Sequence, residues 1–180
     1  MNPSRYIAVG NSYCDPRGWP SHLNGLGQVI SHGGASVYDW IQGGQYHGDW
    51  VRAVQSAQPR VILAAAGNDI LNALKAGQPR KIKAAQLALG LLISELRDQH
   101  KQVYAFTYSG WALWGIVPWW QAWYAAAKVN SYLRDVHAAA GAKELPLAKW
   151  TGPRDYERKT IHLNARGHKR VAQRMDKELP

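Results

Sequence analysis

The sequence is poor in cysteine and phenylalanine, with one residue of each among 180. A single thiol, Cys14, cannot form an internal disulfide, which excludes a disulfide scaffold. The Cys and His residues also lack the spacing of a structural zinc site. We therefore expect neither redox chemistry nor a metal-dependent fold.

Long apolar runs are also missing. The run from Ala84 to Ile93 is half the length of the ~20 residues that a membrane-spanning helix needs, and it contains Gln86. The first ten residues lack the charged and apolar regions of a secretory signal. We expect a soluble protein that stays inside the cell, unless it was trimmed from a precursor or leaves by another route.

Acidic residues are few, with 12 Asp+Glu against 22 Lys+Arg and a formal net charge of +10. A basic face attracts phosphate regardless of nucleic-acid sequence. Here the basic residues are scattered, with mild enrichment at 80–83 and 166–177, and no aromatic-rich RNA-binding motif accompanies them. The charge therefore indicates a solvated basic surface, and nucleic-acid binding is not favoured as the main function.

Short apolar runs alternate with segments of helical spacing along the whole chain. The predicted strands are Tyr6–Val9, Gln28–Ile30, Val61–Ala66, Val103–Tyr108 and Glu144–Ala148. The predicted helices are Asp49–Ala57, Pro79–Gln99, Trp119–Ala140 and a last helix that runs from Asn164 as N-cap to Lys177. Strands that alternate with helices predict a mostly parallel sheet covered on both faces, so the fold class is α/β. Without repeats or linkers, residues 1–180 are expected to form a single domain.

Small and polar residues follow the first three predicted strands, at Gly10–Tyr13, Ser31–Gly34 and Gly67–Asp69. If the strand order is 2-1-3-4-5, Ser12, Gly33 and Asn68 meet at one edge of the sheet. A serine hydroxyl on a tight turn can attack a carbonyl group, while nearby N–H groups stabilise the oxyanion that forms. His162 precedes the last predicted helix and is the candidate base.

These segments resemble the SGNH (GDSL-type) serine hydrolases, whose blocks carry Ser, Gly, Asn and His in that chain order. The matching segments are Ala8–Ser12, Ser31–Gly33, Ala66–Ile70 and Ile161–His168. The resemblance implies a flavodoxin-like three-layer αβα fold with a five-stranded, mainly parallel sheet. It also implies an esterase without cofactor or metal, in which Ser12 is the nucleophile and His162 the base. The implied oxyanion hole consists of Ser12, Gly33 and Asn68.

Two positions depart from the family pattern. Asn11 replaces the acid of the first block, and a neutral amide can still bind the turn. Lys159 stands where the family has the Asp that orients the histidine, and lysine cannot accept a hydrogen bond from the imidazole ring. A Ser12/His162 dyad then needs another group to hold the ring tautomer. The candidates are a backbone carbonyl and the carboxylates of Asp15, Asp155 and Glu157.

Tryptophan is abundant after the fourth predicted strand, at positions 111, 114, 119, 120 and 123. The indole rings could form a platform or lid for a sugar ring or an acyl chain. They could equally pack a helix onto the sheet, and contact with a membrane interface or a second copy is a further alternative. We expect some of each, with Trp111, Trp114 and the nearby His32 as substrate-binding residues.

Together these features predict a serine hydrolase that cleaves a small acyl ester, with an O-acetyl carbohydrate as the candidate substrate. The alternative is a catalytically impaired binding module of the same fold that holds a glycan or an anionic polymer, for which Lys159 is the main argument. A cytoplasmic esterase and a phage-associated enzyme that modifies a wall or capsule would share these sequence features.

Overall fold

The computed structural model describes residues 4–113, 117–157 and 160–180, which form a five-stranded sheet with helices on both faces. The strands are β1 (Tyr6–Gly10), β2 (Leu26–Ser31), β3 (Arg60–Ala64), β4 (Gln102–Thr107) and β5 (Lys143–Pro146). The α-helices are α1 (His47–Val54), α2 (Gly67–Lys75), α3 (Pro79–Asp98), α4 (Trp119–Ala140), α5 (Leu147–Trp150) and α6 (Ala165–Glu178). A 3₁₀ turn, Ser12–Cys14, follows β1 directly.

The strands pair in parallel in the order β2-β1-β3-β4-β5. Every residue of β1 is buried, because the strand lies inside the sheet and is covered on both faces. The predicted strand order and fold class are thus confirmed. Parallel strands end at the same edge of a sheet, so the segments that follow β1, β2 and β3 are neighbours there.

Apolar side chains fill the space on each face of the sheet. On one face, α1 to α4 bury a cluster that includes Trp50, Ile70 and Leu89. On the other face, α5 and α6 pack with the segment that follows β1, and Trp19 and Val171 are fully buried there. The helices that bracket the sheet make the three-layer arrangement that the sequence predicts.

The longest helix begins and ends where the sequence predicts. Pro118 is the N-cap of α4, and Gly141 ends the helix in the left-handed conformation, with φ at +77°. At α6, the Asn164 side chain accepts a hydrogen bond from the Gly167 N–H at 3.0 Å, as expected of an N-cap residue. None of the helices in the described ranges is long and apolar enough to cross a bilayer.

The other predicted elements shift by up to three residues at their ends, and two stretches differ in the kind of structure they form. The third strand ends at Ala64, because Ala66 adopts φ +63° and turns the chain into α2, a helix that the sequence analysis did not predict. The fifth strand ends at Pro146 and is followed by the short helix α5, since proline lacks the N–H group that would continue the ladder. Both differences arise in backbone geometry that hydrophobic spacing does not encode.

Candidate active site

Ser12 begins the 3₁₀ turn at the carboxyl end of β1. Asn11 caps this turn, because its side-chain oxygen accepts a hydrogen bond from the Tyr13 N–H at 3.1 Å. The Asn11 N–H in turn donates to the Ala64 carbonyl of β3 at 3.0 Å. The neutral amide therefore binds the turn, as the sequence analysis expected, and holds Ser12 half-buried at the edge of the sheet.

His162 lies in the loop that precedes α6. The Glu157 N–H donates to the His162 carbonyl at 3.0 Å, and Tyr156 and Leu163 form an isolated antiparallel bridge. These contacts close the loop on itself, so His162 is held at an exposed tip beside the serine turn.

Asp155 connects this loop to helix α6. Its carboxylate is fully buried and pairs with Arg166 and Arg170 of α6, at 3.2 and 2.8 Å. It also accepts a hydrogen bond from the Gly152 N–H at 2.7 Å. Asp155 is thereby occupied with structural contacts and is not among the residues that line the pocket around His162.

Ser12 and His162 line one open pocket of about 380 Å³. Its other lining residues are Tyr13, Asp15, Arg17, Gly18, Glu157, Leu163 and His168. Among the described residues, no hydrogen bond joins the Ser12 hydroxyl to the His162 ring. Catalytic hydrogen bonds often tighten only when substrate binds, so this open geometry is compatible with a nucleophile and its base.

The three predicted oxyanion donors lie at the ends of neighbouring strands. Among the described residues, the N–H groups of Ser12 and Gly33 and the side-chain amide of Asn68 have no hydrogen-bond acceptor. Asn68 lies in the first turn of α2, and Gly33 lies in the exposed turn after β2. Donors without a protein partner at a sheet edge are available to a ligand.

Asp69 fixes the loop after β2 against the start of α2. Its carboxylate accepts hydrogen bonds from the Ser36 hydroxyl at 2.5 Å and from the Val37 N–H at 3.0 Å. The connection restrains the two segments that carry Gly33 and Asn68 relative to each other.

The remaining candidates for orienting His162 differ in their partners. Asp15 binds the Arg17 side chain with both carboxylate oxygens, at 3.1 and 2.9 Å, and this contact lowers the pKa of Asp15 to about 2. Among the described residues, Glu157 has no ion pair and accepts only a long hydrogen bond, 3.4 Å, from the Thr160 hydroxyl. Lys159 lies outside the described residues.

His168 adds a second imidazole to the pocket lining. Its Nδ1 accepts a hydrogen bond from the Trp19 N–H at 2.9 Å, and the ring packs so closely on Gly18 that a Cβ there would lie 2.5 Å from the imidazole Cε1. Burial lowers the pKa of His168. The ring therefore fixes the segment after the serine turn, and sequence spacing does not predict this contact because its partners are 149 residues apart.

Tyr13 connects the serine turn to the histidine loop. Its hydroxyl donates to the Ile161 carbonyl at 2.7 Å, and its ring centroid lies 6.5 Å from that of His162. Burial raises the pKa of Tyr13 well above the ordinary value, so the hydroxyl stays protonated and can donate. Sequence analysis did not identify this residue, although it follows the candidate nucleophile directly.

Tyr13→Phe removes this hydrogen bond and keeps the ring. We expect kcat for ester hydrolysis to fall by roughly ten- to a hundredfold with little change in KM, because the loop that carries His162 loses its tether. The free energy of unfolding should fall by only about 1 kcal/mol. Steady-state kinetics and thermal melts test both expectations.

The matched control is Tyr6→Phe, which removes the hydroxyl that donates to the Pro180 carbonyl at 2.5 Å, at the start of β1. This variant should lose similar stability and keep kcat. Equal kinetic losses in the two variants would show that Tyr13 acts through global stability alone.

The predicted substrate-binding residues fall in different surroundings. His32 Nε2 lies 2.6 Å from an Asp49 carboxylate oxygen, and its ring stacks on Tyr46 at 3.7 Å, so His32 is occupied by protein contacts. Trp111 is half-buried and packs edge-to-face on Trp123 at 5.2 Å. Trp114 lies outside the described residues.

An apolar pocket of about 40 Å³ adjoins the site. It is lined by Tyr13, Gly67, Asn68, Leu71, Tyr108, Ser109, Ala112, Leu113, Ala126, Val129 and Ile161. Tyr13 lines both pockets, and Asn68 belongs to the apolar one. A small apolar space therefore lies beside the candidate oxyanion donor.

Solved structures of hydrolases share this fold. An acetyl xylan esterase matches with a TM-score of 0.73 and 15% identity, over 97% of this chain and 100% of that one. A putative acylhydrolase from Bacteroides fragilis matches with a TM-score of 0.70 and 17% identity, over 100% and 90%. A member of the lipolytic G-D-S-L family from Veillonella parvula matches with a TM-score of 0.64 and 20% identity, over 97% of each chain. A search of curated proteins found no significant match.

The parallel sheet with helices on both faces places the protein in the α/β class, with the fold of these solved structures. The model of the GDSL-like lipase/acylhydrolase family matches residues 7–170, which is most of the chain. The protein belongs to this family, and the resemblance found in its sequence is confirmed.

Proposed function

We propose that the protein hydrolyses short acyl esters through a covalent acyl-Ser12 intermediate. The observation that carries the proposal is that Ser12 and His162, 150 positions apart in the chain, line one pocket at the carboxyl edge of the sheet. Family membership supports ester hydrolysis, and the geometry supports these two residues as its nucleophile and base.

In the first half-reaction, the Ser12 hydroxyl oxygen attacks the ester carbonyl carbon while His162 accepts the hydroxyl proton. The N–H groups of Ser12 and Gly33 and the Asn68 amide donate hydrogen bonds to the oxyanion. Collapse of the tetrahedral species breaks the bond to the alcohol, which leaves with the proton from His162. In the second half-reaction, water gives a proton to His162 and attacks the acyl carbon. Collapse of the second tetrahedral species breaks the bond to the Ser12 oxygen, which takes the proton back from His162, and the carboxylic acid leaves.

The apolar pocket supports a short acyl group. Its 40 Å³ holds roughly three water-sized spheres, which is enough for an acetyl group and too little for a long chain. Two structures of similar fold are an acetyl xylan esterase and an acetyl-xylooligosaccharide esterase, the latter with a TM-score of 0.66 and 12% identity over 93% of this chain. These observations favour an acetyl ester of a carbohydrate as substrate, with Trp111 and Trp114 as candidate contacts of the sugar.

Chromogenic esters of increasing acyl length, together with a fluorophosphonate probe, test this proposal. We expect kcat/KM to be highest for acetate and to fall steadily toward octanoate, and we expect the probe to modify Ser12, as located by peptide mass spectrometry. A folded protein that neither hydrolyses any ester nor reacts with the probe would support the non-catalytic binding module instead.

Glu157 is the carboxylate best placed to orient His162, because it lines the same pocket and its only described side-chain contact is the bond from Thr160. We expect Glu157→Gln to lower kcat/KM at least about tenfold, since an amide cannot stabilise the imidazolium in the same way. Asp15→Asn is the matched control, because the Asp15 carboxylate is already bound to Arg17. Kinetics that respond more to Asp15→Asn than to Glu157→Gln would assign the orienting role to Asp15.

A further inference from the structure

A cluster of exposed aromatic side chains at the start of α4 has no part in the proposed hydrolysis. Trp119, Trp120 and Tyr124 are 64%, 57% and 62% exposed, and Trp123 is 37% exposed. Most large apolar side chains of a folded protein are hidden from water, and a concentration of exposed ones marks a binding surface.

Lysine residues border this cluster. Lys128 lies one turn after Tyr124, and its Nζ is 5.7 Å from the Tyr124 ring centroid. Between Trp119 and Lys128 the helix carries no acidic residue, and the first one in α4 is Asp135. The aromatic side chains are therefore flanked by positive charge without a compensating carboxylate in this part of α4.

The neighbouring helix α3 contributes more positive charge. The Gln86 side chain donates to the Tyr132 carbonyl at 3.0 Å, and Gly90 faces Val136, so α3 and α4 run side by side in the same direction. One turn before Gln86, the same register brings Ile82 level with Lys128. Next to Ile82, the exposed Lys83 lies on the side of α3 that faces α4, in a groove that Asp135 of α4 also lines. The first acidic residue of α3 is Glu95.

The cluster lies close to the candidate active site. Because α4 follows a parallel strand, it begins at the same edge of the sheet as the serine turn. On its buried side, Ala126 and Val129 line the apolar pocket beside Asn68. Trp119 and Trp123 continue this side of α4 toward the start of the helix, and Trp120 and Tyr124 lie on its outer side.

We propose that this aromatic–basic surface docks the protein onto an anionic lipid bilayer. It comprises Trp119, Trp120, Trp123, Tyr124, Lys83 and Lys128. Indole and phenol rings settle at the level of lipid headgroups, and lysines beside them are attracted to anionic lipids. The net charge of +10 acts in the same direction at longer range.

The composition of the surface favours a bilayer over a glycan. The other exposed or half-exposed side chains between Trp119 and Lys128 are Gln121, Ala125 and Ala127. A sugar site needs several directed hydrogen-bonding groups around its aromatic platform, whereas a bilayer needs apolar area and charge. The start of helix α4 presents apolar area and positive charge.

Vesicle co-sedimentation tests the proposal, and Ser12→Ala protein is used so that hydrolysis cannot alter the lipids. We expect binding to vesicles of equimolar phosphatidylcholine and phosphatidylglycerol, and at least tenfold weaker binding to phosphatidylcholine alone. Replacing Trp119, Trp120 and Tyr124 together by alanine should weaken binding at least tenfold. Each of Lys83→Gln and Lys128→Gln should weaken it about fivefold.

Leu91→Ala is the matched control, because Leu91 is 60% exposed on α3 but lies opposite the C-terminal part of α4, beside Ala139 and Ala140. It should bind vesicles like the parent protein. Equal binding to both lipid compositions, unchanged binding by the triple variant, or no binding at all would overturn the proposal. So would self-association that the triple variant abolishes, or binding to a soluble acidic polysaccharide in place of the vesicles. None of these outcomes bears on hydrolysis, because the assay does not depend on it.

Discussion

Ser12→Ala is expected to lower kcat for ester hydrolysis by roughly 10⁴-fold or more and to abolish labelling by a fluorophosphonate. The variant loses the atom that forms the covalent intermediate, while the backbone N–H groups of the candidate oxyanion hole remain. Because Ser12 is half-buried in an open pocket, its replacement by alanine should leave the melting temperature almost unchanged. Kinetics, probe labelling and a thermal melt of the same preparation measure all three quantities.

Cys14→Ala provides the control for this experiment, since Cys14 is the other nucleophilic side chain of the serine turn. The thiol is fully buried, its Sγ lies 3.4 Å from the Val9 carbonyl, and burial raises its pKa. A thiol in this state does not attack an ester. Wild-type kcat in Ser12→Ala, or lost labelling in a folded Cys14→Ala, would contradict the assignment of Ser12 as nucleophile.

The sheet could be predicted because its strands are short apolar runs that end in turn-forming residues. Gly10, Gly33 and Gly67 mark these ends in the sequence, and the family resemblance orders the strands that precede them. The boundaries of α4 were also readable, since proline before the helix and glycine after it are local signals. Local chemistry thus accounts for the fold and for the positions of Ser12 and Asn68 on it.

The contacts that assemble the site could not be predicted from local sequence patterns, because they join distant parts of the chain. The bond from Tyr13 to the Ile161 carbonyl spans 148 positions, and no local pattern requires it. The role of Asp155 was equally hidden. As one of three nearby carboxylates it was a candidate partner of His162, and only the folded chain shows that α6 supplies two arginines to it.

The tryptophans show a second limit of prediction from the sequence, which concerns burial. Trp19 and Trp50 are buried in the two cores, whereas Trp119 and Trp120 are exposed at the start of α4. Spacing within a helix specifies which residues share a face, but the neighbouring elements decide whether that face is covered. The sequence analysis expected the tryptophans between positions 111 and 123 to divide between helix packing and a substrate platform, and this division stays a prediction.

Gly10 determines how closely β1 and β3 approach directly before the nucleophile. Its φ is +153°, and a Cβ at this position would lie 2.3 Å from the Ala64 carbonyl oxygen. That oxygen accepts the hydrogen bond from the Asn11 N–H, and the Gly10 carbonyl accepts one from the His32 N–H, both at 3.0 Å. A side chain at position 10 would therefore push against the backbone that holds the turn.

Gly10→Ala is expected to lower the free energy of unfolding by about 3 kcal/mol or more, because both the left-handed backbone and the contact with Ala64 penalise a methyl group. For a chain of this length, that loss corresponds to a decrease in Tm of roughly 6–12 °C. Hydrolysis should fall as well, since relief of the clash moves the serine turn away from His162. Chemical denaturation and kinetics at a temperature where the variant is folded measure the two effects separately.

Gly48→Ala is the control for this prediction, because a Cβ at Gly48 in α1 would meet no atom within 4 Å. Alanine also has the higher helix propensity, so this variant should be as stable as the parent or slightly more so. If Gly10→Ala were as stable and as active as Gly48→Ala, β1 and β3 could separate without cost, and the turn that carries Ser12 would not depend on their close contact.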